Sequence, residues 1–233
     1  MYPTLLNIGP ISIKSYGLMM AIAFMFCAFL LGREAPKHGI KSEVMIDFVF
    51  WVAISGIIGA RIYFILISLD YFLQYPVDMI MLHKGGLAWQ GGLISSVLTA
   101  IYYFKKNNLP VLKTFDLAAP YIALGQSIGR IGCFLNGCCY GKPVSWGIYF
   151  PVHNARLHPT QLYSTLGLLI VFFVLKKFHR SSPADGKVFT LYIMLASALR
   201  FFIEFYRAEP YYEFFGFSIF QIFCIGFFVI SFY

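Results

Sequence analysis

Charge is scarce in this sequence. Of 233 residues only 12% are charged and ten are acidic, against 59% hydrophobic, and mean hydropathy is +0.73. A soluble globular domain carries about twice that share of charge, so that class is excluded and an integral membrane protein is expected. Long polar stretches are missing too, which leaves no place for a separate soluble domain; residues 1–233 read as a single polytopic membrane domain. Neither a basic leader nor a small-residue cleavage site accompanies the first apolar run, which begins after Ile11-Ser12-Ile13-Lys14. It reads as a retained helix and not as a signal peptide. The net charge of +8 sits in short loops and forms no continuous basic stripe, so nucleic acid is not an expected partner. The cysteines Cys133, Cys138 and Cys139 have no second CxxC and no well-placed histidine, and adjacent cysteines seldom share one tetrahedral site. No metal is expected there; small-residue packing is preferred, with a nucleophilic thiol or a disulfide on an oxidising outer side as alternatives. Cys27 and Cys224 lie in apolar runs, where cysteine behaves as a small hydrophobe.

What is present is a series of apolar runs of roughly 20 residues, the length that crosses about 30 Å of hydrocarbon. They fall near 16–34, 46–69, 86–104, 116–135, 161–178, 187–206 and 216–233. The fold expected is therefore an all-α integral membrane protein of about seven transmembrane helices. The third run, opened by glycines, and the fourth, which carries Gln126 and Arg130, are open to being broken or re-entrant, a geometry tolerated only where protein or water covers the backbone. Basic residues alternate between loops. Arg33, Lys37, Lys41, Lys105, Lys106, Lys113, Lys176, Lys177, Arg180 and Lys187 fall on one side, and Lys14, Lys84, Lys142, Arg156 and Arg207 on the other. The positive-inside rule then sets the N-terminus extracytoplasmic and the C-terminus cytoplasmic. In that orientation the loops at 83–90, 136–160 and 207–215 gather on the outer face.

Arg61, Arg130 and Arg200 remain at or inside spans, where an arginine costs about 2.5 kcal/mol or more and faces a cavity or a partner. Arg200, Glu204 and Arg207 are spaced to share one helical face. One reading is a structural ion pair. The other is two guanidinium groups for one carboxylate, a surplus suited to phosphate because the planar fork of arginine donates in pairs; Arg130 adds to it. Gly85-Gly86 and Gly91-Gly92 bracket Leu87-Ala88-Trp89-Gln90 and suit either close approach of backbone to an anion or tight helix packing. His158, followed by Pro159 at a plausible first helical position, is expected around the N-cap of the fifth span. Tyr16 stands at the outer end of the first span, where an interfacial aromatic is also an ordinary occupant.

Taken together and in order, Tyr16-Gly17-Leu18-Met19, Gly59-Ala60-Arg61-Ile62-Tyr63, Gly85 to Gly92, Gly129-Arg130-Ile131-Gly132 to Asn136-Gly137 with Tyr140-Gly141, His158 to Tyr163, and Arg200 to Arg207 resemble the prolipoprotein diacylglyceryl transferases. The resemblance covers nearly the whole chain. It implies a multi-pass enzyme of the bacterial inner membrane that moves the diacylglyceryl group of phosphatidylglycerol to the lipobox cysteine of a prolipoprotein signal peptide. A thioether forms and glycerol phosphate is released, without cofactor. By motif position, Arg130 would hold the phosphate, with Tyr16, Gly91, Gly92, Asn136 and Gly141 lining the lipid site. Arg200, held by Glu204, would stabilise the departing phosphate or the attacking thiolate. Arg207 would add charge, and Arg61, Gln90 and His158 would support the site.

The departures from the family pattern concern the thiol. Many members have a histidine where this chain has Gln90, which cannot act as a general base at neutral pH. Cys133 and Cys138 stand where Asn and Glu are frequent, and Ala196 where Tyr is. Three explanations are open: the arginine field alone lowers the substrate thiol's pKa, which is preferred; His158 or His83 substitutes; or the acceptor differs. Competing classes are a lipid or anion transporter, which would favour inverted repeats that are not evident here, and a lipid-binding protein without turnover.

Overall fold

The computed structural model describes residues 1–8, 11–81, 85–208, 213–214 and 216–230; His83 and Lys84 lie outside them. The helices follow the apolar runs: α1 (Ser15–Glu34), α2 (Ser42–Ile67), α3 (Leu69–Gln74), α4 (Trp89–Lys106), α5 (Val111–Asn136), α6 (Thr160–Arg180), α7 (Lys187–Glu204) and α8 (Ile219–Ile230). Among the described residues the loops add three antiparallel strand pairs, β1 (Thr4–Ile8) with β2 (Ile11–Lys14), β3 (Pro143–Phe150) with β4 (Ala155–Leu157), and β5 (Glu213–Phe214) with β6 (Phe217–Ser218). Hydropathy does not mark such short strands.

Among the described residues, Ser15–His38, Ser42–Ile67 and Thr160–Arg180 are long and apolar enough to cross a membrane. On α2 the side chains of Ile57, Ile58, Ile62 and Leu66 are about half exposed or more, an apolar surface of a kind that soluble monomers avoid and hydrocarbon covers. The two runs open to interruption resolve differently. α5 is continuous through Gln126 and Arg130, with Pro120 inside it. α4 starts only at Trp89, leaving Gly85 and Gly86 ahead of the helix with φ of 84° and 80°.

The chain divides into two compact units, residues 31–114 and residues 1–30 with 115–233. In the first, α2 and α4 pack through small residues. Gly59 has the Gly91 carbonyl 2.7 Å from where a Cβ would lie, and a Cβ on Gly91 would collide with the Gly59 carbonyl and the Tyr63 Cβ. Ser95 Oγ donates to Ser55 O (2.8 Å) and Ser96 Oγ to Val52 O (3.3 Å). This is the close backbone approach that stands in for the hydrophobic effect between helices in lipid. The expected consequence is that Gly91→Val destabilises the protein by about 3 kcal/mol, the upper range for overpacking, because the clash is with backbone. A fall in the thermal midpoint in detergent checks it.

In the second unit, Ala119 and Ala123 of α5 pack with Val171 and Leu175 of α6 and Val188 and Tyr192 of α7. Asp116 is buried and accepts from Gly186 N (2.6 Å) and Phe189 N (2.8 Å). It satisfies the first free amides of α7, whose own N-cap glycine has no side chain to do so. Ser127 Oγ donates to Thr165 O (2.9 Å) and Thr165 Oγ1 to Ser127 O (3.3 Å), which fixes the register of α5 on α6. The C-terminal half of α5, from Ser127 to Asn136, is thereby held against α6.

Candidate active site

The last turn of α7 builds the charged ridge expected from its spacing. Arg200 pairs with Glu204. α7 ends at Glu204, so Arg207 lies in the following turn, with its Nε 3.8 Å from the same carboxylate. The other carboxylate oxygen accepts from Ser218 Oγ (3.2 Å). Ser218 also begins α8 with a reciprocal cap: its N donates to Gln221 Oε1 (2.8 Å), and Gln221 N donates to Ser218 Oγ (3.3 Å). The Ser218-x-x-Gln221 pattern is a readable helix-start signal. Its further use, clamping the carboxylate between two arginines, is not.

Arg130 on α5 is half-buried, and its charge acts on Arg200 and on Cys133 and Cys139. Among the described residues, Arg200 and Arg207 share the Glu204 carboxylate and the Arg130 charge reaches Arg200, an arrangement suited to a bound anion. Gly132 admits α1 alongside: a Cβ there would lie 2.9 Å from Met19 Cβ and 3.5 Å from Tyr16 Cα. Tyr16, the second residue of α1, is 43% exposed and feels the charge of Arg130.

Cys133, Cys138 and Cys139 come together, each Sγ within 4.8 Å of the others. Cys133 is one helical turn from Arg130. Asn136 ends α5, and the Cys138 thiol donates back to Cys133 O (3.7 Å). The chain then turns through Gly137 (φ 76°) and Cys139 (φ 63°), both left-handed. Two residues of α6 hold that turn: Gln161 Nε2 donates to Cys138 O (2.6 Å) and Thr160 Oγ1 to Cys139 O (2.7 Å). The Cys139 thiol is held below the ordinary thiol range by the neighbouring Cys133 and Cys138 thiols, with the Arg130 and Arg207 guanidinium groups acting in the same direction. Thr160 and Gln161 belong to a motif visible in the sequence, but their role depends on a contact more than 20 residues away.

Gly141 has no space for a side chain, because a Cβ would meet His158 Cβ at 2.6 Å, Thr160 Cγ2 at 2.8 Å and the Tyr206 carbonyl. Its N donates to His158 O (2.9 Å), and Lys142 N donates to Tyr206 O (2.8 Å). Gly141 thus ties the loop to the start of α6 and the end of α7. Pro159 is the N-cap of α6 and the helix starts at Thr160, one position later than expected; His158 precedes the cap. The His158 ring is packed edge-on to Trp146 (4.9 Å), and its Nδ1 lies 3.1 Å from Tyr163 Oη. Ala196 lies against the α5–α6–α7 core.

Arg61, Gln90, Gly91 and Gly92 belong to the other unit. Arg61 is buried, and all five of its N–H groups are used by carbonyls: Met79 O (3.0 Å), Gly85 O (2.6 Å), Gly86 O (2.8 Å), Asp78 O (2.5 Å) and Met81 O (3.5 Å). Its side chain lines a cavity of about 330 Å³ with Phe64, Ser68, Tyr71, Phe72, Asp78, Gly85 and Gly86. Arg61 is a clasp on the segment before α4, which accounts for its burial without an anion. Gly91 and Gly92 face α2, so the packing alternative accounts for that pair. Gln90 is exposed on the first turn of α4.

The sequence matches the family model described as prolipoprotein diacylglyceryl transferase over residues 3–233. It is similar to the phosphatidylglycerol–prolipoprotein diacylglyceryl transferase of Clostridium tetani (strain Massachusetts / E88), with 33% identity over 217 residues, 90% of this chain and 87% of that protein. The protein of the same name from Bordetella avium (strain 197N) is 35% identical over 219 residues, 89% of this chain and 82% of that one. That from Staphylococcus haemolyticus (strain JCSC1435) is 34% identical over 219 residues, 89% and 77% of the two chains.

Proposed function

The chain belongs to the prolipoprotein diacylglyceryl transferase family, and from that premise we propose that it transfers the diacylglyceryl group of phosphatidylglycerol to the lipobox cysteine of a prolipoprotein signal peptide. The carbon–oxygen bond to phosphate breaks, a carbon–sulfur bond forms, and glycerol phosphate leaves with the electron pair. The observation that carries this reading is that Arg200 and Arg207 share the buried Glu204 carboxylate while the charge of Arg130 bears on Arg200. Fixed donors aimed at charge that grows on a leaving phosphate lower the barrier without reorganising during the reaction.

In this reading Arg130 anchors the lipid phosphate and Arg200 meets the charge that develops on it. Glu204 positions Arg200 and keeps Arg207 close. Tyr16 borders the lipid, and Asn136, Gly141 and His158 shape the loop over it. Gly91 and Gly92 act by setting the α2–α4 crossing, and Arg61 by holding the segment that carries Gln90. The whole of 1–233 works as one polytopic domain of seven spans in the bacterial inner membrane, N-terminus outside, with the site opening to the outer face.

Reconstitution of the full chain with labelled phosphatidylglycerol and a synthetic lipobox peptide tests it by mass analysis. The expected product is the peptide heavier by one diacylglyceryl group on its cysteine, together with released glycerol phosphate. Lipid binding without that product would leave a lipid-binding protein and end the transferase reading.

A further inference from the structure

The three-thiol cluster has no part in the reaction as proposed above, and packing alone does not account for it. Cysteine used as a small hydrophobe is buried singly inside a helix, as Cys224 is in α8 and Cys27 in α1, where its thiol donates to Tyr121 O (3.3 Å). Cys133, Cys138 and Cys139 instead converge on one point. Adjacent cysteines ordinarily direct their side chains apart; here the pair does not, because Cys139 takes a left-handed backbone (φ 63°) that a side chain disfavours. Strain of this kind persists where the surroundings over-determine it and is found at sites of function. The surroundings do so: Gln161 and Thr160 hold the two cysteine carbonyls, and Gln161 is almost wholly buried.

We propose that Cys133, Cys138 and Cys139 bind a zinc ion whose fourth position takes the thiol of the acceptor cysteine; this rests on the transferase reading. Three sulfur donors at bonds of about 2.3 Å and tetrahedral angles lie roughly 3.8 Å apart. The present spread, within 4.8 Å, needs side-chain rotations closing about 1 Å. Thiolate sulfur selects zinc over harder cations, and three protein ligands with one open position is the pattern of a reactive zinc site. Three thiolates and a divalent cation carry one net negative charge, and the charges of Arg130 and Arg207 already act on this cluster. A disulfide would use two of the sulfurs and leave the convergence of the third unexplained.

The site supplies the step for which the chain lacks a base at Gln90. The acceptor thiol displaces water from zinc and is bound as thiolate, its proton passing to water. The zinc-bound sulfur attacks the diacylglyceryl carbon; the bond from that carbon to the phosphate oxygen breaks, and glycerol phosphate leaves with the electron pair. The neutral thioether is a weak ligand and dissociates, and water returns.

The test uses the full chain in detergent, reduced and stripped with chelator, then loaded with Zn²⁺ alone or Co²⁺ alone. Cobalt is expected to give a sulfur-to-metal charge-transfer band saturating at one equivalent. Zinc is expected to protect Cys133, Cys138 and Cys139 together from maleimide in a mass map, leaving Cys27 and Cys224 unchanged. Cys139→Ser should weaken metal binding by about 100-fold or more, beyond the loss caused by removing an outer partner. Adding a lipobox peptide should shift the cobalt spectrum, and its Cys-to-Ser version should not. Absence of the band with unprotected thiols, or a disulfide joining two of the three in protein purified without reductant, overturns the site. Transfer that continues undiminished in zinc-free protein overturns its role and leaves the transferase reading intact. A peptide-induced shift with no transfer under any condition keeps the site and rejects that reading instead.

Discussion

Replacing Arg130 with alanine is expected to lower kcat for diacylglyceryl transfer by about 10²–10³-fold, the cost of removing one preorganised donor from a developing anion. The expectation follows from where α5 puts the residue. It lies one turn before Cys133, on a helix locked to α6 by the Ser127–Thr165 exchange, and its neighbour Gly132 keeps α1 close enough that Tyr16 borders the same space. A charge fixed in this way acts without moving during the reaction. Arg130→Lys should recover only part of the loss, because an ammonium cannot donate as a planar fork. Steady-state kinetics with phosphatidylglycerol in mixed micelles separate the contributions. A fall in kcat with KM within a few-fold marks charge stabilisation in the transition state, whereas a rise in KM alone would reduce Arg130 to a ground-state anchor. A kcat within a few-fold of the parent protein rejects both.

The sequence and the structure agree where the signal is periodic or local. The apolar runs become helices, and the 200/204/207 spacing becomes an ion-paired ridge. They part where meaning depends on contacts remote in the chain. Arg61 reads as a buried cation awaiting an anion, yet the carbonyls of Asp78, Met79, Met81, Gly85 and Gly86 satisfy it, and hydropathy carries no trace of those contacts. Gly91 and Gly92 suit a ligand or a helix equally well until Gly59 is seen against them. The cysteines are the sharpest case. Their spacing argues against a common centre because adjacent side chains diverge in ordinary backbone, and the left-handed conformation at Cys139 removes that objection. Nothing local requires it; the loop is held by Thr160 and Gln161 from the next helix.

The second large effect belongs to Glu204. Glu204→Ala should destabilise the fold by about 3–5 kcal/mol, the cost of breaking a buried pair by removing one partner. Arg200 and Arg207 would then repel each other without a counter-charge, and Ser218 would lose the carboxylate it donates to at the start of α8. A purely structural ion pair and a working one predict this same result, so the single variant does not separate them. The double variant Arg200→Met with Glu204→Leu does, because exchanging a buried pair for apolar groups of similar volume is often neutral for stability. We expect the double variant to regain most of the thermal stability lost in Glu204→Ala while its transfer activity stays at least about 100-fold below the parent protein. Arg207 and Arg130 remain in that variant and would still bind the lipid phosphate, so equilibrium binding of phosphatidylglycerol should change far less than turnover. Recovery of activity along with stability would make the Arg200–Glu204 pair a fastening of α7 to α8 and transfer the charge-stabilising role to Arg130 and Arg207.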